Sequence, residues 1–529
     1  MSKIYKPYKR PFTVGRLLRW TRIAVALTMF AIVTSLFVSM AVALTLRLHW
    51  ATQIQILPLA LAGAGAALAI WAAVTLIFGR IYCSSVCPMG TLQDIFARLP
   101  RLTKSARRRH KYRHTQAANK FRYAFLTLVA GTAVVGSSLL VTLFDPYSAY
   151  GRIASEIWAP LVEIVGGQEV LVASWNAFAI AMVTLVAVAA CAAWKGRIIC
   201  NTICPVGSIL SLLSRWPLFH FDINTDVCVN CHRCEHSCKA GCIDVSTHTI
   251  DSSRCVVCFD CIDACHDKAI SYTTSRHRLS MPMMQRITPT PTPCSAPEKG
   301  ASALKAGKTD TADKAVKAID DTAVKIDRRQ FLATGLILAA TPMMEAARRR
   351  SRLGLGRRKH DTGAPLEGLE PVAPPGRRSL RDYLQRCTGC GLCVANCPSK
   401  VLRPSTSEFG LSHILKPVMD YQAAYCSYSC TRCTDVCPTE ALQQLTVEEK
   451  HTFILGKAIV NANNCIGCGH CVPRCPREAI RMVARGSGEG SWQVAQVDYE
   501  LCIGCGACQF VCPAHPVKAI CVNGAGALP

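Results

Sequence analysis

Cys228-Val229-Asn230-Cys231-His232-Arg233-Cys234-Glu235-His236-Ser237-Cys238 is the stretch from which the rest of the chain can be read. Its cysteines are spaced C-x2-C-x2-C-x3-C, and the same spacing returns at Cys255, Cys258, Cys261 and Cys265. Four further runs follow: Cys387, Cys390, Cys393, Cys397; then Cys426, Cys430, Cys433, Cys437; then Cys465, Cys468, Cys471, Cys475; and last Cys502, Cys505, Cys508, Cys512. The run at Cys426 is stretched by one residue in its first gap. Three thiolates two residues apart on a tight loop can hold three corners of an iron–sulfur cubane, while the fourth lies too far along the chain and swings to a neighbouring cluster. Spacing therefore predicts Cys228, Cys231 and Cys234 with Cys265 on one cluster, and Cys255, Cys258 and Cys261 with Cys238 on another. For the last four runs it leaves nested and sequential pairing open.

Other uses of these cysteines fit less well. The chain has 529 residues and 32 cysteines, whereas disulfide scaffolds are short. Structural zinc takes two ligand pairs separated by a longer stretch, not compact runs of four. Cys228-Val229-Asn230-Cys231-His232 also matches a c-type haem attachment signal, but both cysteines are already needed by the run. Six [4Fe-4S] clusters are the expectation, helped by soft thiolate ligation and by the apolar residues after the runs, as in Ala269-Ile270, Ala441-Leu442 and Ala479-Ile480.

Composition places part of the chain in a membrane. Half of it is hydrophobic and 18% is charged, with a net charge of +26. Residues 23–46 carry no charge, enough at about 1.5 Å per residue to cross a hydrocarbon core of about 30 Å. Residues 55–78, 123–144 and 170–194 meet the same criterion, giving four expected transmembrane helices. Residues 1–22 hold seven Lys and Arg without an acid, and residues 95–122 hold ten, so both belong on the cytoplasmic side. The loop 145–169 has one Arg against Asp145, Glu156, Glu163 and Glu169 and faces outward. None of the four spans contains a histidine, which removes axial ligands for a haem within the bilayer.

The helices fall into two copies of one unit. Gly79-Arg80-Ile81-Tyr82-Cys83-Ser84-Ser85-Val86-Cys87-Pro88-Met89-Gly90 recurs, 117 residues on, as Gly196-Arg197-Ile198-Ile199-Cys200-Asn201-Thr202-Ile203-Cys204-Pro205-Val206-Gly207. Each hairpin thus delivers a C-x3-C-P motif to the inner surface. Cys83, Cys87, Cys200 and Cys204 could share a metal or iron–sulfur centre, form a redox-active thiol set beside a quinol, or simply pack. Cys191, Cys242, Cys294 and Cys521 carry no expected role.

Six segments result: a four-helix membrane domain (1–219), a two-cluster ferredoxin domain (220–279), a linker (280–326), an apolar segment (327–346), a basic and Pro-rich linker (347–376) and a four-cluster polyferredoxin domain (377–529). Arg328-Arg329-Gln330-Phe331-Leu332 resembles a twin-arginine export signal, a suitable device for a cluster domain that must cross already folded. The competing reading is an interfacial helix, because its apolar run is short and basic residues from Arg348 to Lys359 follow it. The fold class is membrane α-helical, four helices in two repeated hairpins, plus two α+β bacterial-ferredoxin-like domains.

The two C-x3-C-P motifs followed by two ferredoxin runs resemble the NapH-type quinol-oxidising membrane ferredoxins of periplasmic nitrate reductase systems, with related layouts in NosR-like and CcoG-like proteins. The second half, a polyferredoxin preceded by Arg-Arg, is similar to the NapG/MauM type, so the chain looks like a fusion of the two. The resemblance implies an inner-membrane protein with its first ferredoxin domain cytoplasmic and electrons passing from menaquinol or ubiquinol towards an outer reductase. Lys239 and His266 depart from the pattern, standing where Pro usually follows the fourth cysteine. No G-x-G-x-x-G fingerprint or hydrolase triad is visible, so the chain reads as a conduit with no catalytic residues of its own. The alternative is a cluster-bearing maturation or redox-regulatory protein for another metalloenzyme. Nucleic acid is not an expected partner, because the basic residues flank apolar spans without interleaved aromatics.

Overall fold

A computed structural model of the chain describes residues 14–38, 42–99, 112–116, 118–165, 174–274, 369–485 and 492–526. The expected linker 280–326 and the Arg328-Arg329 segment lie outside them, as does Cys294.

Among the described residues two helices, Gly15–Val38 and Trp175–Lys195, are long and apolar enough to cross a membrane. The first begins earlier than the uncharged stretch, taking in Arg16, Arg19 and Arg22, and spans Val14–Val38. The other two apolar stretches are interrupted. Residues 55–78 form Ile56–Ala62 and Gly65–Phe78, broken where Gly63 turns left-handed at φ +79°. Residues 123–144 form parts of Asn119–Val134 and Leu139–Phe144.

The repeat is preserved in three dimensions. In each copy the long helix ends at a glycine, a five-residue helix carries the first cysteine (Ile81–Ser85, Ile198–Thr202), and proline opens the next helix (Pro88–Arg98, Pro205–Leu213). Proline suits a first helical turn, where its missing N–H is not needed.

The segment from His220 to Thr273 is a small α+β unit. Strand His220–Ile223 pairs antiparallel with Ile270–Thr273, and Ile243–Asp244 with Thr249–Ile250, around the short helices Arg233–Ser237 and Asp260–Ala264. The C-terminal unit has three such ribbons: Leu402–Pro404 with Pro417–Met419, Lys457–Val460 with Ile520–Asn523, and Ile480–Arg485 with Trp492–Val497. Its core also takes in Val372 and Ala373, ahead of the expected start at 377, and Met419 N donates to Val372 O at 2.9 Å.

These two units pack against opposite ends of the helix Val14–Val38, whose 25 residues rise about 37 Å. At its N-terminal end Arg19 pairs with Asp260 at 2.9 Å and Arg16 with Asp263 at 3.3 Å. At its C-terminal end Asn396 Nδ2 donates to Leu36 O at 3.0 Å. Nearby, Lys400 pairs with Glu163 at 3.1 Å and Arg386 donates to Leu61 O.

Asp94 holds the N-terminal contact together. This carboxylate is buried and meets Arg197 at 2.9 Å, Lys239 at 3.2 Å and Arg22. Lys239 also reaches Asp260 at 2.9 Å, and its carbonyl accepts from Arg197 N at 3.0 Å. Lysine in place of the usual proline is therefore the pin that joins the cysteine loop to the helices. Burial alone would raise the Asp94 carboxyl, but Arg197, Lys239 and Arg22 hold it well below the usual range. Its stabilising contribution is present at every pH above about 4 and is lost only as pH falls through the depressed native value.

Asp94→Ala strands three buried cations, a loss of roughly 3–5 kcal/mol for a broken buried pair. Protease sensitivity of residues 214–274 should rise sharply in that variant. Asp263→Ala, at a partly exposed pair worth about 1 kcal/mol or less, should leave it nearly unchanged.

Candidate metal centres

Backbone conformation shapes each cysteine loop. In the five regular runs the residues flanking the second cysteine are left-handed: Asn230 and His232, Val257 and Phe259, Gly389 and Gly391, Gly467 and Gly469, Gly504 and Gly506. Alternating hand in this way curls successive amides into a concave nest suited to an anionic group. Glycine does this without strain, whereas a β-branched Val257 at φ +53° costs energy and marks a functional constraint. The stretched run is different: no left-handed residue lies between Cys426 and Cys433, because the extra residue makes the turn instead.

The loops gather thiols in fours. Cys228, Cys231, Cys234 and Cys265 line one pocket; Cys465, Cys468, Cys471 and Cys512 line another; Cys475, Cys502, Cys505 and Cys508 line a third. Cys261 lies within electrostatic reach of Cys255, Cys258 and Cys238. Cys393 does so with Cys387, Cys390 and Cys437, and Cys433 with Cys426, Cys430 and Cys397. Each run contributes three thiols locally and exchanges its fourth with one neighbour. In the C-terminal unit the exchange is sequential, first run with second and third with fourth.

Burial pushes the thiols up, Cys390 and Cys258 to about 12 and Cys234 to about 11, so binding a metal here releases protons. Main-chain N–H groups also aim at sulfur: Ala269 N lies 3.3 Å from Cys265 Sγ, and Ala479 N 3.3 Å from Cys475 Sγ. Among the described residues no three His, Cys, Asp or Glu side chains are placed to hold a single ion. Four thiols around a nest fit a multi-iron cluster, whose ligands are spread over several metals, better than one zinc. In the haem-like stretch, His232 Nδ1 pairs with Glu235 at 2.7 Å.

The four C-x3-C-P cysteines are brought together as well. All are buried, and Cys87 and Cys204 each lie within electrostatic reach of Cys83 and Cys200. The two copies grip each other reciprocally: Arg80 Nη2 donates to Cys200 O at 3.0 Å and Arg197 Nη1 to Cys83 O at 2.7 Å. A Cβ on Gly90 would fall 2.7 Å from Arg197 Nη1, and one on Gly207 2.8 Å from Arg80 Nη2, so the final glycine of each motif admits this crossing. Gln93 Nε2 reaches Cys200 Sγ at 3.3 Å.

One cysteine without an expected role sits in a candidate centre. Cys242 is buried with its Sγ 3.4 Å from Cys238 Sγ. The corresponding position, four residues after the last cysteine of a run, is Ala269, Val401, Ala441, Ala479 or Pro516 in the other five runs. That internal comparison was the available signal. Cys191 and Cys521 are half-buried, and Cys521 lies within electrostatic reach of Cys512.

Comparison with known proteins bears on both halves. A 4Fe-4S dicluster domain family matches residues 386–441 and 464–515, and a second dicluster family matches 425–480. A 4Fe-4S binding domain family matches residues 59–108 and 175–224, the two copies of the helical repeat. An uncharacterized protein of Methanocaldococcus jannaschii is 25% identical over 206 residues, 39% of this chain and 77% of the relative. The ferredoxin-type protein NapH of Escherichia coli is 27% identical over 221 residues, 39% of this chain and 67% of NapH. The methylamine utilization ferredoxin-type protein MauM of Methylobacillus flagellatus is 28% identical over 143 residues, 25% of this chain and 60% of MauM. The chain thus spans less than two thirds of MauM's length. No solved structure matches. The resemblance to NapH-type and MauM-type ferredoxins holds, and the chain is a ferredoxin-type protein with multiple iron–sulfur clusters.

Sequential exchange gives a direct test. Cys437→Ser should cost the centre formed with Cys387, Cys390 and Cys393, lowering the protein's iron by about four atoms. Nested pairing would direct the loss to the centre formed with the third run, which differential thiol labelling of Cys390 against Cys468 distinguishes.

Proposed function

We propose that this chain, similar to NapH-type and MauM-type ferredoxins, is an inner-membrane electron carrier that takes electrons from quinol and passes them to a redox partner such as an outer-facing reductase. The observation that carries this reading is the packing of the two ferredoxin units at opposite ends of the helix Val14–Val38. Basic flanks assign the end bearing Arg16 and Arg19 to the cytoplasm. The C-terminal unit then belongs on the outer side, which gives Arg328-Arg329 its use as an export signal. Four membrane crossings and the six-segment organisation read from the sequence are part of this proposal.

Six [4Fe-4S] clusters are assigned to the six thiol groups. Cys83, Cys87, Cys200 and Cys204 are assigned a further centre, supported by the 4Fe-4S binding domain family that covers both motifs. When bound, such clusters supply carriers that accept and release one electron at a time. The protein's own residues cradle five of the six in nests, burying or half-burying most of their thiols and leaving Cys231 and Cys468 exposed.

Oxidation of a quinol also releases two protons, which need acceptors. The outer end of the helices supplies buried ones. Burial pushes Asp145 up to about 6, against the opposing hydrogen bonds from Ser148 N and Ser148 Oγ, both 2.7 Å. Burial likewise pushes Glu156 up to about 7. These carboxylates lie beside the C-terminal unit: a Cβ on Gly151 would fall 2.4 Å from Cys390 O, and Ser155 packs against Gly391. A maturation or regulatory role is the second reading, favoured by the likeness to NosR-like and CcoG-like layouts. It requires only slow, substoichiometric reduction by quinol.

Two measurements test the proposal. A tag after Pro529 should resist protease in inverted vesicles and be cleaved in right-side-out ones; the opposite result places the C-terminal unit inside and removes the outer reductase. Quinol-linked cluster reduction should rise with pH between about 6 and 7, since both carboxylates accept protons only when ionised. Glu156→Gln should abolish the upper part of that rise, and a flat pH profile in the native protein would exclude these groups.

A further inference from the structure

Lys450 is fully buried, and its Nζ donates to Cys426 Sγ at 3.5 Å. Among the described residues that sulfur is its one hydrogen-bond acceptor, and no carboxylate pairs with it. An ammonium in such a place is costly unless negative charge answers it. The other lysines beside cysteine loops are answered by oxygen: Lys239 by Asp94 and Asp260, Lys400 by Glu163, Lys416 Nζ by Cys387 O at 2.6 Å and Leu384 O, and Lys457 Nζ by Cys502 O at 2.9 Å and Tyr499 O. Lys450 alone among them points at a sulfur.

The helix that carries it, Val447–Thr452, is held in place. A capping box closes its start, with Thr446 N donating to Glu449 Oε2 at 2.8 Å and Glu449 N to Thr446 Oγ1 at 3.2 Å. Its next residue, His451, stacks flat on Tyr428 at 3.8 Å and meets Ser429 Oγ at 3.1 Å. Tyr428 and Ser429 belong to the stretched loop between Cys426 and Cys430. The one irregular run and the one sulfur-directed lysine are thus parts of a single arrangement.

We propose that Lys450 is a positioning residue that raises the reduction potential of the cluster held by Cys397, Cys426, Cys430 and Cys433, making it the electron-collecting member of the C-terminal four. This rests on the assignment of a cluster to those thiols. A fixed positive charge beside a thiolate favours the state carrying one more electron, and hydrogen bonds to cluster sulfurs and net charge are established determinants of potential. Lys416 and Lys457, whose charge is directed at backbone dipoles, act less strongly.

The test is an EPR-monitored redox titration of the full-length protein with parallel iron analysis. Lys450→Met should retain its iron while one cluster's potential falls, so that at the native midpoint of that cluster its reduced-to-oxidised ratio drops roughly tenfold or more. Lys450→Arg should keep the native potential, and Lys416→Met should leave this cluster unchanged. Loss of about four irons from Lys450→Met but not from Lys450→Arg would overturn the proposal, since the charge would then hold the cluster and not set its potential. Unchanged potentials in an iron-replete Lys450→Met, or equal iron loss from both variants, would overturn the proposal. Native protein that lacks the cluster at these four cysteines would instead remove the assignment beneath it, and the iron count separates the two failures.

Discussion

The exchange of the fourth cysteine is the constraint on which the soluble units depend. A loop of three thiols cannot complete a four-coordinate set, so each run must be folded against its neighbour before either centre is whole. That requirement places Cys265 with the Cys228 loop and Cys238 with the Cys255 loop. It also explains why such small units manage with ribbons of two to six residues: so short a segment buries too little apolar surface to fold on core alone, and metal ligation provides the missing free energy. In the five regular runs the nests of left-handed residues meet the same demand, curling the backbone so that three sulfurs point inward.

In the helical part the corresponding constraint is charge. Arg80 and Arg197 are both fully buried, and each donates to a main-chain carbonyl of the opposite copy of the repeat. Asp94 then ties one copy to the first ferredoxin unit through Lys239. Buried ion pairs of this kind add little net stability compared with apolar packing, but breaking one is expensive, which makes them good locks on a unique arrangement. One apolar core continues from Val256 of the first ferredoxin unit through Cys83, Cys87, Tyr82 and Tyr147 to Cys390 of the C-terminal unit. The redox-bearing parts of the chain are therefore packed as one body.

Much of this was legible beforehand because it is written in spacing. The six runs, the pairing in the first unit, the 117-residue repeat and the convergence of Cys83, Cys87, Cys200 and Cys204 all follow from local geometry or from internal symmetry. Lys239 and the stretched loop at Cys426 were visible as departures, but what they do was not. Lys239 acquires its meaning from Asp94, 145 positions away, and the stretched loop from the helix Val447–Thr452. Cys242 reads as a spare thiol in the sequence because it stands outside the run spacing, and only the fold sets it beside Cys238.

Sequence by itself determined the chemistry of the protein: thiol number, thiol spacing, apolar stretches and basic flanks are local quantities that need no fold to be counted. Only the tertiary structure decided that the last four runs exchange ligands sequentially, that the second and third apolar stretches are broken helices, and that the two ferredoxin units sit at opposite ends of one helix. The physical reason is that these depend on which distant surfaces meet. Three thiols on one loop leave the fourth partner free among several loops, and the choice is made by packing between residues that have no fixed relation along the chain.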